Sequence, residues 1–154
     1  MAMTDILYSQ GGSLITVGDS AYATADVDSI TMVRTITVDF KDNKATVNLN
    51  NAPGVTYTAE GGHVVINNTN ATEEMEFVLS GTSNDASLTY NGVYKCKFHL
   101  NNLNLTSTKG AALDIQCGKR IDVFLMDGTT NSLTDCADGL QKAAFYCKGH
   151  MEVA

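Results

Sequence analysis

Two sets of side chains in this chain of 154 residues carry chemistry by type and spacing. The first is aromatic with amide neighbours: Tyr90 beside Asn91, then Tyr94, and further upstream Tyr57. Sugar rings bind to flat aromatic faces flanked by amide and carboxylate hydrogen-bonding groups, which makes these four the candidate carbohydrate contacts. The second set is rich in oxygen: Asp127, Asn131, Asp135 and Asp138. Calcium takes about six to eight such ligands. Asp135 and Asp138 could share an ion across one loop, with Asp114 or Asp122 approaching from a neighbouring segment. The alternative is that these Asp-Gly and Asn pairs make corners, their side chains bonding local backbone N–H groups.

Other chemistries find less support. A polysaccharide lyase needs a base beside a uronate and a cation for its carboxylate. Lys109, Lys119, Arg120, Lys142 and Lys148 are available, but no spacing marks one as activated. His63, His99 and His150 are scattered, with no pairing to a nucleophile or carboxylate that would make a triad. The formal charge of −7, from 17 acids against 10 bases, argues against a nucleic-acid partner. The apolar runs are too short for a membrane-spanning helix, and no secretory segment opens the chain.

Cys96, Cys117, Cys136 and Cys147 include no Cys-x-x-Cys pair, so a zinc or redox site of ordinary spacing is not expected. The first two steps, 21 and 19 residues, match a repeat described below, which predicts that Cys96, Cys117 and Cys136 stack in one column. Reduced core thiols are the leading expectation, with one or two disulfides or a metal site as alternatives.

The elements that must hold these groups are strands. Trp is absent and Pro occurs once, while Thr, Asn, Gly and Asp are abundant. Ile6–Ser9 and Ser13–Val17 flank Gly11-Gly12 and read as a hairpin, followed by a loop of small residues at 19–28 and a short apolar segment at 30–32. Strands are then expected at 35–39, 45–49, 55–58, 63–67, 75–79, 86–90, 95–100, 103–105, 112–116, 121–125, 132–134, 143–147 and 150–153. Turns are expected at Asp42-Asn43-Lys44, Ala52-Pro53-Gly54, Glu60-Gly61-Gly62, Asn91-Gly92 and Asp127-Gly128. Phe77, Phe98, Phe124 and Phe145 are expected inside.

One grammar recurs, an apolar strand followed by a Gly or Asn corner. Leu79, Leu100 and Leu125 hold equivalent places, 21 and 25 residues apart. A second echo aligns Gly110-Ala111-Ala112-Leu113-Asp114-Ile115 with Lys142-Ala143-Ala144-Phe145-Tyr146-Cys147. Repeats of this length built from strands predict a coil stacked on itself. The expected fold is all-β, a right-handed parallel β-helix over residues 37–154 with an N-terminal hairpin or cap segment over 1–36. The alternative is an antiparallel β-sandwich.

From Phe77 onward the chain resembles bacterial carbohydrate-binding β-helix proteins. Leu79-Ser80-Gly81-Thr82, Leu100-Asn101-Asn102-Leu103 and the run from Asp127 through Asn131-Ser132-Leu133-Thr134-Asp135 carry that resemblance, together with the second echo. The opening Tyr8-Ser9-Gln10-Gly11-Gly12 and Val27-Asp28-Ser29-Ile30-Thr31-Met32 are similar to the mature start of many Bacteroidetes surface lipoproteins. The resemblance implies a pectate-lyase-like parallel β-helix scaffold, affinity for plant-type or acidic polysaccharides, bound calcium, and an extracellular or outer-surface location. The departure from the family is length: its members continue through further rungs after the Gly149-His150 motif, and these are expected to be lacking here. The sequence thus predicts a non-catalytic, calcium-assisted polysaccharide-binding module of the bacterial surface. An adhesive module that self-associates through the edge of its C-terminal strand is the second reading, and a lyase the third.

Overall fold

The structure, a computed structural model, describes residues 3–9, 12–17 and 20–23 as backbone strands, and residues 34–141 and 143–154 in full. The chain divides into two compact units, residues 1–33 and 34–154. In the first, β1 (Met3–Ser9), β2 (Gly12–Val17) and β3 (Ser20–Ala23) form an antiparallel sheet in the order β1-β2-β3. The expected hairpin is present, whereas part of the expected loop at 19–28 is the strand β3. The segment 30–32 lies outside the described residues.

The second unit is all-β, two mixed sheets with no helix among its described residues and therefore none able to cross a membrane. After β4 (Thr35–Lys41), β5 (Lys44–Asn48), β6 (Val55–Glu60) and β7 (Gly62–Asn68), the chain alternates between the sheets as far as residue 125. It continues through β8 (Met75–Ser83), β9 (Ala86–Gly92), β10 (Cys96–Thr106) and β11 (Leu113–Cys117). The last elements are β12 (Ile121–Leu125), β13 (Ser132–Thr134), β14 (Phe145–Cys147) and β15 (Met151–Val153). The large sheet has the order β15-β12-β10-β8-β4-β5, with β13 also on β10, and the small sheet the order β14-β11-β9-β7-β6. Every pairing between β8 and later strands is parallel, while β4-β5 and β6-β7 are antiparallel hairpins.

Parallel registry converts sequence repeats into columns. Leu79 pairs with Leu100 and Leu100 with Leu125, while Phe77 pairs with Phe98. The second echo is likewise spatial, because Leu113 pairs with Phe145. Strict alternation then separates the faces. Ile36, Phe77, Phe98 and Val123 point inward from the large sheet, and Val64, Leu88, Tyr90 and Ile115 from the small one, all at most 1% exposed. Where the inner faces meet, Phe77 stacks on Phe98 at 4.8 Å and Tyr90 sets its edge against both, at 5.1 and 5.4 Å. Each such pair adds about 0.5–1.5 kcal/mol beyond burial of its area.

The corners use residues able to take positive φ. Asp42 and Asn43, at φ 50° and 56°, turn β4 into β5. Within the large sheet Gly81 bends β8 at φ 99°, where a Cβ would lie 2.0 Å from the Phe40 carbonyl oxygen. The neighbouring strand β10 meets the same bend with Asn102, an extra residue at φ 52° between Asn101 and Leu103. At the next level residues 126–131 loop out, tied back because Thr130 N–H donates to Asn102 Oδ1 and Leu103 N–H to Asn131 Oδ1.

Asn91-Gly92 is the end of β9 rather than a turn, since Gly92 pairs with both Asn68 and Cys117 and leaves room for the Tyr90 ring. Phe124 faces outward, because it shares parity with Asp122 rather than with Val123. The cysteines do not share a column: Cys96 lies in the large sheet and Cys117 and Cys147 in the small one, and all four are free thiols. Burial pushes the thiols of Cys96 and Cys147 up, keeping them protonated.

Candidate functional site: the outer face of the small sheet

Alternation places a second set of columns on the outside of the small sheet. Val65, Thr89, Asp114 and Tyr146 are paired in succession across β7, β9, β11 and β14. Beside them run Asn67, Asn91 and Gln116. Asn91 Nδ2 donates to Asn67 Oδ1 at 2.9 Å, and Gln116 Nε2 donates to Asp114 Oδ1 at 2.7 Å. These bonds hold the amides in one orientation without exhausting them. Among the described residues, Asn67 Nδ2, Asn91 Oδ1 and Gln116 Oε1 make no hydrogen bond within the protein. A polymer lying across the strands therefore meets fresh donors and acceptors at each step of about 4.8 Å. Tyr146, half-buried, ends the row with an aromatic ring beside Asp114.

The outer face of the large sheet is chemically different. Lys97 lies 3.5 Å from Glu76 and 3.7 Å from Glu74, and Lys95 lies 3.7 Å from Glu74. Arg120 donates to Asp122 at 2.9 Å and to Glu152 at 2.6 Å. Its bond to Asp122, followed by the two carboxylate charges, holds the guanidinium firmly protonated. His99 stacks on Phe124 at 5.0 Å, with Nε2 3.5 Å from Glu76 but outside hydrogen-bond geometry. Each cation named here is already matched by a carboxylate.

The residues expected from sequence distribute unevenly. Asn91 stands in the centre of the amide row. Tyr90, expected to be exposed, is instead fully buried, and its hydroxyl accepts a hydrogen bond from Asn68 Nδ2 at 3.1 Å. Burial pushes its phenol far above the ordinary value. Tyr94 is half-buried and its carbonyl accepts from the Cys117 thiol, while Tyr57 is 42% exposed on the edge strand β6. Neither is a member of the amide row.

Asn131 spends its amide on Leu103 N–H and Thr129 Oγ1. Among the described residues no three acidic, His or Cys side chains gather around a point that would hold a metal. Asp114 is instead bonded to Gln116, and Asp122 to Arg120. Lys142 lies outside the described residues. Sequence reasoning missed Asn67, Thr89, Gln116 and Tyr146, whose register partners lie 24 or more residues away in the sequence and become recognisable once the strand register is known.

The model of one protein family, described as carbohydrate-binding domain-containing protein, matches residues 60–154, which include the whole amide row. The chain belongs to that family. Among solved structures it is similar to a polysaccharide lyase-like protein from C. thermocellum, determined as a gadolinium derivative. The two superpose with a TM-score of 0.58 at 22% identity, over 77% of this chain and 48% of the other. The chain thus spans about half the length of that structure, and the likeness is one of fold. No curated protein matches it significantly.

Proposed function

We propose that the second unit is a right-handed parallel β-helix that binds polysaccharide without cleaving it, across the outer face of its small sheet. The reading places the protein outside the cell, at the bacterial surface. The observation that carries it is the row Asn67, Asn91, Gln116 in strand register beside Thr89, Asp114 and Tyr146. Weak contacts repeated along a polymer sum through multivalency. The charge pattern favours neutral over acidic glycans, because the molecule carries −7 overall and the large sheet's outer cations are matched by carboxylates. Affinity electrophoresis on neutral plant glycans and on pectate tests this reading. Retardation on a neutral polymer is expected, and unretarded migration on every polymer contradicts it.

A second reading is favoured by one feature. An apolar cleft of about 480 Å³, lined in part by Leu100, Leu125, Leu133, Phe145 and Val153, opens beside β12 and β15, with Leu125 51% and Val153 56% exposed. That surface suits a further layer of sheet supplied by another copy, giving a self-associating module. Light scattering that stays monomeric as concentration rises contradicts this reading.

A further inference from the structure

His63 and Ser87 are paired neighbours on the parallel strands β7 and β9, at the end of the small sheet's outer face away from Asn91. Ser87 Oγ lies 2.8 Å from His63 Nδ1, and Asp85 Oδ1 lies 2.9 Å from His63 Nε2. The hydrogen-bonding inventory fixes the direction of these bonds. An ionised carboxylate only accepts, so Nε2 carries a proton and donates to Asp85. In a neutral imidazole Nδ1 is then bare, and the Ser87 hydroxyl must donate to it. Serine, imidazole and carboxylate are therefore connected in the order and polarity of a hydrolytic relay.

The three groups are held in place from several sides. A Cβ at Gly62 would lie 2.4 Å from the Asp85 carbonyl oxygen, so glycine there lets the loop that carries Asp85 close onto β7 beside His63. Asn43 Oδ1 accepts from both Ser83 Oγ and Asp85 N–H, which anchors the same loop from β4 and β5. Thr108 donates to Asp85 Oδ1 from the following level. That bond, opposed by burial and supported by the hydrogen bond from His63, holds the Asp85 carboxyl below its usual range and keeps it an acceptor. The His63 side chain is 12% exposed and Asp85 41%, so the ring is fixed while the cluster stays open to solvent.

We propose that Ser87 is a nucleophile activated by His63 and Asp85, and that it accepts acyl groups from esters on carbohydrate hydroxyls. Ser87 Oγ bonds to the ester carbonyl carbon as its proton passes to His63 Nδ1. The adduct collapses, the carbon–oxygen bond to the alcohol breaks, and the leaving alkoxide takes that proton from His63. Water, deprotonated by the same nitrogen, then releases the acid and restores Ser87. The sum is ester plus water giving carboxylic acid plus alcohol. Only the carbohydrate part of this substrate class rests on the glycan-binding reading; the nucleophile rests on the cluster alone.

The test uses p-nitrophenyl acetate, with release of p-nitrophenolate followed optically and acid-quenched protein mapped by mass spectrometry. Acetyl carried on Ser87 is expected, absent in Ser87→Ala. Release slower by about 100-fold or more is expected in His63→Gln, the scale of a lost general base. A purely structural strut gives no acetyl on Ser87 and equal rates in Ser87→Ala and wild type, and either result overturns the proposal. Ser87→Ala deletes one oxygen of a partly exposed side chain, so the comparison survives even if His63→Gln fails to fold. Glycan retardation, run in parallel, is expected to be unchanged in Ser87→Ala. Acetylation without retardation supports the nucleophile and overturns only its carbohydrate substrate class.

Discussion

The two outer faces of the second unit are built on the same core by the same alternation, yet they end in opposite chemistry. On the large sheet Glu76, Lys97, Asp122 and Glu152 fall in one register column and neutralise one another, directly or through Arg120. On the small sheet the corresponding outward positions hold Asn67, Asn91 and Gln116, whose bonds to neighbours leave further donors and acceptors open. A charge ladder satisfies itself, whereas an amide ladder orients itself and stays able to bond a ligand. In a parallel stack the difference between a self-neutralised face and one with open hydrogen-bonding groups is a choice of side chain at one parity.

The comparison rests on a shared core, and the largest expected effect comes from removing it. Phe98→Ala deletes a ring in contact with both Phe77 and Tyr90, and is expected to cost about 3–5 kcal/mol in chemical denaturation. Both faces should melt together; two separate transitions would show that the faces do not share one core. Tyr90→Phe keeps the ring but strands the Asn68 amide in the interior, with an expected loss of about 1–3 kcal/mol. An unchanged midpoint would mean that Tyr90 is not inside.

Alkaline pH sharpens the same point. Burial raises the pKa of Cys96, Tyr90 and Cys147 in the folded state. The folded protein then holds protons that the unfolded chain releases, so this stability is complete below the ordinary thiol range and is lost as pH rises through it. The denaturation midpoint is expected to be lower at pH about 10 than at pH about 8; a rising midpoint would contradict burial of these groups. The smallest effect belongs to the charge ladder. Lys97→Ala is expected to cost about 0–1 kcal/mol, diminishing with added salt, and to leave glycan retardation unchanged.

Periodicity made much of this legible from sequence. The equivalence of Leu79, Leu100 and Leu125, the echo that pairs β11 with β14 and the N-terminal hairpin are all local patterns that parallel or hairpin pairing preserves. Parity was also present but misapplied twice. Tyr90 shares its side with Ala86 and Leu88 and is buried with them, and Phe124 shares its side with Asp122 and faces out. What stayed illegible was coincidence across levels. His63 and Ser87 are 24 residues apart, and only the register Ile66–Tyr90, of the same length, shows that they touch. In the oxygen-rich run at 127–138 a corner and a metal site draw on the same residues, and Asn131 bonds within the corner.

Side-chain amide NMR during titration with a neutral polysaccharide that retards the protein tests the central assignment most directly. The account predicts that Asn67, Asn91 and Gln116 shift in a saturable manner, that resonances of Lys97 and His99 stay still, and that Asn91→Ala/Gln116→Ala abolishes the saturation. Shifts confined to the large sheet's outer face, with Asn91 and Gln116 unmoved, would contradict it.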